Sequence, residues 1–477
     1  MTLTSDFPPS IVAARELSLP LNDGADSGGS NGLQFIAEPG YTLTGTVGDL
    51  ETLTISGQDF GTKSPPRHFD RIDRYWANGT EYDGIPPTAN DGDPLQVGSG
   101  NAFLGTPGVH MGAWRLRQAA ARLGRPLGYQ LETGPNSGSF ENYGVGTTKE
   151  GFAGWPSSQK DAEESYIRYW RFQKYFGTDG DIDAPMALVD ALPAGSTMAT
   201  ISASNAYIGN SVGGMEELYI VLDTGELHYC IQQEPVVSGT VFNFLPALPS
   251  PASAGNPVYR RKNAVNKNLR LQDDGSSAGK DWNAWTFSGF QGQISNDKWS
   301  LVDGKPQARF EVGKWELHEY YVRAPKDQAR LGTDYIKRVR INGELRMNLN
   351  GFAEQANPGA LIDPPTVGWP SSGVAITNFG FEEDRLHVIP NNEYRLSDIY
   401  IDASTDGSGA RRRVEIGIGN DDLYQCAKRE CCPINSWNTS IEAKLNALPF
   451  TEAELAQARI FVVDENDTAA LVGRIQE

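Results

Sequence analysis

Cysteine is scarce: the 477 residues hold four, Cys230, Cys426, Cys431 and Cys432. That is too few for a disulfide framework, and without paired C-x-x-C spacing it is no zinc site, so reduced thiols are expected. Apolar runs are short throughout, and none approaches the length that spans a bilayer as a helix, so no membrane partner is expected. The opening segment MTLTSDFPPSIVAARELSLPLND lacks the basic start and apolar stretch of a secretory signal, which points to a protein made and left in a cytosol. Positive charge is short as well. A formal net charge of −19 gives a surface that repels nucleic acid, because phosphate binding needs a basic face. The local cluster Arg260, Arg261, Lys262, Lys267 and Arg270 is expected to be a solvated strand edge. Long helices are disfavoured by 52 Gly and 29 Pro, a composition that suits frequent turns and short strands.

What the chain does contain is alternation. In KWELHEYYVRAPKDQARLGTDYIKRVRINGELRMNLNG, from Lys314 to Gly351, three antiparallel strands can be traced. Leu345, Met347 and Leu349 alternate with Glu344, Arg346 and Asn348, the period-2 pattern of a strand with one dry face and one wet face. Asn342-Gly343 tolerates the positive φ angles of a two-residue type I′ turn and joins this strand to Tyr335–Ile341. Other strand patterns are YIRYWRF from Tyr166, ELYIVLD from Glu217, AWTFSGF from Ala284, LSDIYIDAS from Leu396 and RRVEIG from Arg412. One helix is expected from Ala113 to Leu123, stopped by Gly124 and Pro126. A capping box, Thr451 with Glu454, starts another, and RIFVVDENDTAALVG, Arg459 to Gly473, reads as a closing hairpin.

The Trp315 strand followed by Ile341-Asn342-Gly343-Glu344-Leu345 resembles the laminin-G or concanavalin-type jelly roll, and LTISGQDFGTK from Leu53 to Lys63 is similar to the strand of IPT/TIG immunoglobulin-like modules. In this order the motifs resemble large jelly-roll proteins of tailed bacteriophages and marine bacteria. The resemblance implies a mainly β fold: a concanavalin/laminin-G-like jelly-roll sandwich with an Ig-like N-terminal element and a small C-terminal β module. The expected divisions are a docking arm at 1–36, the Ig/TIG-like element with its helix at 37–126, the jelly roll at 127–405 and the C-terminal module at 406–477. Phe7, Ile11, Val12, Leu17, Leu19 and Leu21 would give the arm its apolar contact with another virion protein.

Candidate sites are few. Gly154-Trp155-Pro156-Ser157-Ser158 recurs as Gly368-Trp369-Pro370-Ser371-Ser372. An exposed Trp on such a loop offers a flat apolar face to a sugar ring, so Trp155 and Trp369 are the candidate carbohydrate-binding residues, against the plainer reading that they plug the core. Asp179, Asp181 and Asp183 echo the oxygen spacing of a calcium loop, which makes calcium the one candidate cofactor. Ala184 stands where that loop needs Gly, and Pro185 constrains the turn, so an acidic hairpin tip without metal is the favoured reading. Gly209-Asn210-Ser211-Val212-Gly213 matches a nucleophile elbow, yet MEELYIVLD after it reads as a strand where the elbow needs a helix. Gly275 to Lys280 is one residue short of a phosphate loop and reads as a turn.

Glu316, His318 and Tyr320 share one strand face. They could serve a polysaccharide lyase, His or Tyr as base with Arg323 or Arg338 neutralising a uronate, but a solvated strand face is the expectation. The sequence reading is therefore a bacteriophage virion surface protein, a head fibre, decoration or tail-associated adhesin that contacts glycan and has no catalytic residues. It would be a homo-oligomer, a trimer favoured, located on the virion. The alternatives are a polysaccharide-degrading enzyme of lyase type on the same scaffold and a purely structural capsid or tail component.

Overall fold

The computed structural model describes residues 32–77, 79–84, 88–93, 114–122, 125–132, 143–145, 153–154, 164–174, 186–202, 217–238, 240–261, 265–272, 285–290, 293–295, 313–323, 336–350, 373–376, 393–404 and 409–477. Residues 1–31 of the expected docking arm, Trp155, Trp369, the Asp179–Asp183 loop, the Gly209–Gly213 elbow and the Gly275–Lys280 turn lie outside the described residues, whereas residues 34–36 of that arm belong to a strand paired with Ala469–Gln476. Within them the chain is nearly all β, in several antiparallel sheets, as expected.

A ten-stranded sheet forms the centre. Its strands run side by side as Glu344–Asn350, Ile336–Ile341, Trp315–Arg323, Glu164–Gln173, Glu393–Ser404, His68–Asp70, Arg74–Ala77 and Thr80–Asp83. Gly128–Glu132 pairs with the first part of Glu393–Ser404 and carries Trp114–Arg117 at its outer edge. The Asn342-Gly343 hairpin forms as the sequence dictates, with φ of 51° and 83° at its two turn residues. Trp114 to Arg117 is the part of the chain where a helix was expected. Trp114 and Leu116 alternate with Arg115 and Arg117, the strand pairs with Gly128–Glu132, and only a single 3-10 turn, Gln118–Ala120, follows. Period 2 rather than 3.6 decides the conformation there.

Chain ends meet in a second body, a two-sheet sandwich. Gln34–Ala37, Ala469–Gln476, Arg459–Val463, Arg413–Ile418 and Lys428–Cys432 form one sheet, and Thr42–Gly45, Thr52–Ser56, Ser440–Lys444 and Ile434–Trp437 the other. Leu53, Ile55, Val414, Ile416, Ile441, Ile460 and Val472 fill the space between them. Burying each such side chain stabilises by about 1.5–3 kcal/mol, so neither sheet is stable without the other. This pairing departs from the expected divisions. Residues 34–56 complete the C-terminal module, and residues 68–83 and 114–132 extend the central sheet, so 37–126 is not an element of its own. The capping box at Thr451 and Glu454 is present, although it starts only one helical turn, Glu452–Leu455.

A third body is an insert between Glu164–Gln173 and Trp315–Arg323. Its six strands run Met186–Ala187, Pro257–Arg261, Glu217–Val221, Leu227–Ser238, Val241–Leu245 and Met198–Thr200 around Leu218, Ile220, Phe242, Phe244 and Val258. Glu217–Val221 is the strand that counted against the nucleophile elbow. Arg260 and Arg261 pair with Leu218 and Glu217 on one side, while on the other Met186–Ala187 reaches only Val258 and Pro257. Tyr143–Val145, Ala153–Gly154, Val265–Gln272, Trp285–Phe290, Gln293–Ser295 and Gly373–Ile376 make a further six-stranded sheet.

One face of the central sheet packs on the sandwich through buried charge. Arg429 bridges Glu415, 3.1 Å from each carboxylate oxygen, to Glu319 of the Trp315 strand. Arg413 donates to Glu415 at 2.6 Å, Arg168 donates to the Arg429 carbonyl at 2.8 Å, and Tyr166 donates to Glu319 at 2.6 Å. Asp398, at φ 51° where the register of Glu393–Ser404 shifts, accepts from Arg122 and Arg125, each at 2.7 Å. The carboxylates of Glu319, Glu415 and Asp398 thus each meet a guanidinium, the condition under which low dielectric is tolerable.

Candidate active site

The opposite face of the same strands carries a second buried polar cluster. Along Trp315–Arg323 the side chains alternate, so Glu316, His318, Tyr320 and Val322 face away from the sandwich while Leu317, Glu319 and Tyr321 face toward it. Antiparallel register then sets Arg171, Tyr169 and Ile167 of the neighbouring strand opposite Glu316, His318 and Tyr320 in turn. On the other side Ile341 stands opposite His318 and Val339 opposite Tyr320. A polar strip of five side chains on two strands is thus bordered by Ile341 and Val339.

The strip is connected. His318 Nδ1 lies 3.0 Å from the Tyr320 hydroxyl, and His318 Nε2 lies 3.3 Å from Glu316 Oε2. Tyr169 donates its hydroxyl proton to Tyr320 at 3.4 Å, and its ring stacks on both neighbours, 5.9 Å from His318 and 5.8 Å from Tyr320 between centroids. The solvated face expected for this trio is overturned: Glu316 is 2% exposed, and His318 and Tyr320 are 0% exposed. Alternating Glu, His and Tyr looks wet in sequence, but here the three side chains are hydrogen-bonded to one another and to Tyr169 on the same face.

Burial sets the protonation of the histidine. Desolvation pushes His318 down from 6.5 to about 4; the hydrogen bond to Glu316 opposes that shift and the nearby Arg171 charge adds to it. The imidazole is therefore neutral near pH 7 and carries one N–H. Glu316 as a carboxylate can only accept, so Nε2 donates to Glu316 and Nδ1 accepts from Tyr320. Tyr320 in turn accepts from Tyr169. The result is a directed chain, Tyr169 to Tyr320 to His318 to Glu316, in which the phenol proton of Tyr320 points at a neutral base whose tautomer is fixed from behind. Glu316 stands where an imidazolium at His318 would find its counter-charge, although burial disfavours that form.

Arg323 and Arg338, the arginines named from sequence, are not on this face. Both share the side of Tyr321, and Arg338 Nε donates to Asn348 at 2.9 Å. Arg171 replaces them as the cation beside the strip. It was missed because YIRYWRF contains two arginines at period 3, one facing each way, and only the pairing partner says which one meets Glu316. Farther along the same face His68 and Asp70 stand opposite Ile401 and Ile399, with the Tyr129 hydroxyl 3.0 Å from Asp70. Burial pushes His68 down to about 3. Among the described residues no group of three or more His, Cys, Asp or Glu side chains is arranged to hold a metal ion. All four cysteines are free, and burial pushes Cys432 up to about 12, so it is no nucleophile.

No family model matches this sequence, and no curated protein is similar to it. Solved structures similar to it include the marine PL-14 alginate lyase from Aplysia kurodai, 11% identical, with a TM-score of 0.27 over 62% of this chain and 88% of that one. The alginate lyase Aly36B is 9% identical with a TM-score of 0.24, over 62% and 85%. The cellulose-induced protein Cip1 is 14% identical with a TM-score of 0.22, over 61% and 85%. Likenesses this weak carry nothing over to the present chain.

Proposed function

We propose that the chain is a polysaccharide lyase that cleaves uronate-containing glycan by β-elimination, with Tyr320 as the proton-transfer residue. The observation that supports this reading is the buried Glu316–His318–Tyr320 relay, with Arg171 directly across from Glu316. Elimination needs a base for the proton α to the uronate carboxyl, a cation to favour the carbanionic transition state, and an acid for the leaving oxygen. Tyr320, once deprotonated toward His318, takes the C5 proton. The C4–O bond breaks as the C4–C5 double bond forms, and the same phenol or the imidazolium returns a proton to the leaving oxygen. Arg171 offsets the charge that develops on the carboxylate. Glu316 does not touch substrate; it fixes the His318 tautomer and steadies the imidazolium. Tyr320 is closed to solvent, so a substrate reaches it only once this face is exposed.

An adhesin of a virion would rest on Trp155 and Trp369, and none of the described residues favours that reading over catalysis. The test is a screen of the full chain against alginate, pectin and glycosaminoglycans, read by the ultraviolet absorbance of the unsaturated product. Activity on at least one uronate polymer is expected, and Tyr320→Phe, which keeps the ring and loses the hydroxyl, should lower kcat about 10²–10⁴-fold with the melting temperature little changed. Absence of activity on every uronate polymer, or full activity in Tyr320→Phe, would contradict the proposal.

A further inference from the structure

On the sandwich side of the central sheet, Lys63 and Asp402 form a buried pair whose role no element of the relay uses. Both side chains are 3% exposed, and Lys63 Nζ donates to Asp402 Oδ2. The two come from different bodies. Lys63 is bridged through its backbone to Trp437 of the sandwich, its N–H donating to the Trp437 carbonyl at 3.1 Å, whereas Asp402 lies on strand Glu393–Ser404 of the central sheet. Around them is an aromatic wall. Tyr400 packs edge-on against Phe69 and Tyr166 with centroids 6.0 Å apart in both cases, and its hydroxyl accepts from Lys63 Nζ at 3.3 Å. The Ala403 N–H donates to Asp402 Oδ1 at 2.8 Å, and Arg67, Arg413 and the Cys431 thiol also act on the pair.

We propose that Lys63 and Asp402 become joined by an intramolecular isopeptide bond, a covalent staple between the sandwich and the central sheet. The reaction needs a neutral amine as nucleophile and a protonated carboxyl as electrophile, held in contact where water is absent. The site favours both forms. Burial lowers Lys63, opposed by Asp402, and burial raises Asp402, opposed by Lys63, so both shifts run toward the neutral amine and the protonated carboxyl. The Nζ lone pair then attacks Cγ of Asp402. The bond from Cγ to the departing hydroxyl breaks, and an amine proton leaves with that hydroxyl as water, with Tyr400 within reach of Nζ to pass it across. An amide N–H remains on Nζ. Nothing is oxidised or reduced and no co-reactant enters.

Denaturing mass spectrometry of the full chain decides the matter. The expected mass is one water below that of the sequence, after allowance for removal of Met1. Proteolysis should release a branched peptide in which the segment containing Lys63 is joined to that containing Asp402. Lys63→Arg, which keeps a cation and cannot form the amide here, should restore the missing water. A wild-type mass equal to that of the sequence would overturn the proposal without any variant. So would a water loss that maps to a succinimide at an Asp-Gly pair such as Asp83-Gly84 or Asp91-Gly92.

Discussion

Two buried histidines make this protein sensitive to mild acid. His318 and His68 are pushed down from 6.5 to about 4 and about 3, in both cases because burial disfavours the imidazolium. Below 6.5 the unfolded chain binds protons that the folded chain does not, so stability is full above that value and falls as the pH drops toward 4. At about pH 5 each histidine should cost about 2 kcal/mol relative to neutrality, readable as a lower urea midpoint. His318→Gln should flatten part of that slope, and an unchanged midpoint between the two conditions would mean the imidazoles are accessible. How legible these residues were depends on what decides them. That Glu316, His318 and Tyr320 share a face follows from period 2 alone. That the face is dry does not, because burial is conferred by strands far away in sequence. Arg171 was invisible for the same reason, and Lys63 and Asp402, 339 residues apart, form a pair only after the sheets have assembled.

Elements held together by local rules were the readable ones. The turn at Asn342-Gly343, the strands at Leu53, Tyr166, Glu217, Leu396 and Arg412, and the Thr451 cap all form where alternation and turn chemistry place them. The exception, Ala113 to Leu123, carried good stop signals for a helix but an alternating apolar pattern, and pairing with Gly128–Glu132 prevailed. The hairpin does more than reverse the chain. Arg340 stacks on the Tyr424 ring at 3.9 Å and pairs with Asp467 at 3.2 Å, while Gly343 sits against the Tyr424 carbonyl. A Cβ on Gly343 would collide with that carbonyl oxygen, and φ is already 83°. Gly343→Ala should therefore destabilise by about 2–4 kcal/mol, the sum of backbone strain and an overpacked contact. A melting temperature equal to wild type would show that the hairpin does not dock on Tyr424.

At the scale of the whole molecule, the sandwich closes only when residues 34–56 meet residues 413–476. The sequence divides these segments because nothing local records a pairing across the full chain. The same sandwich neutralises the charges on one face of the central sheet. Burial alone would raise Glu415, but Arg429, Arg168 and Arg413 outweigh it and bring its carboxyl down to about 2. A chain ending at residue 405 would leave Glu319 and Arg168 without their ion-pair partners, and it should be insoluble or lack a cooperative unfolding transition; a soluble product with the full-length melting temperature would contradict the composite architecture. The net charge of −19 repels a polyuronate, so kcat/KM on such a polymer should rise with salt as the repulsion is screened, the reverse of a basic binding protein. The central claim is that bond cleavage is an elimination driven through Tyr320, and the most direct measurement is digestion of a uronate polymer in oxygen-18 water followed by mass spectrometry of the ends. Unsaturated ends without label are expected from the full chain and should disappear in Tyr320→Phe. Saturated, labelled ends would reveal hydrolysis and contradict the elimination, and uncut polymer would contradict the enzyme itself.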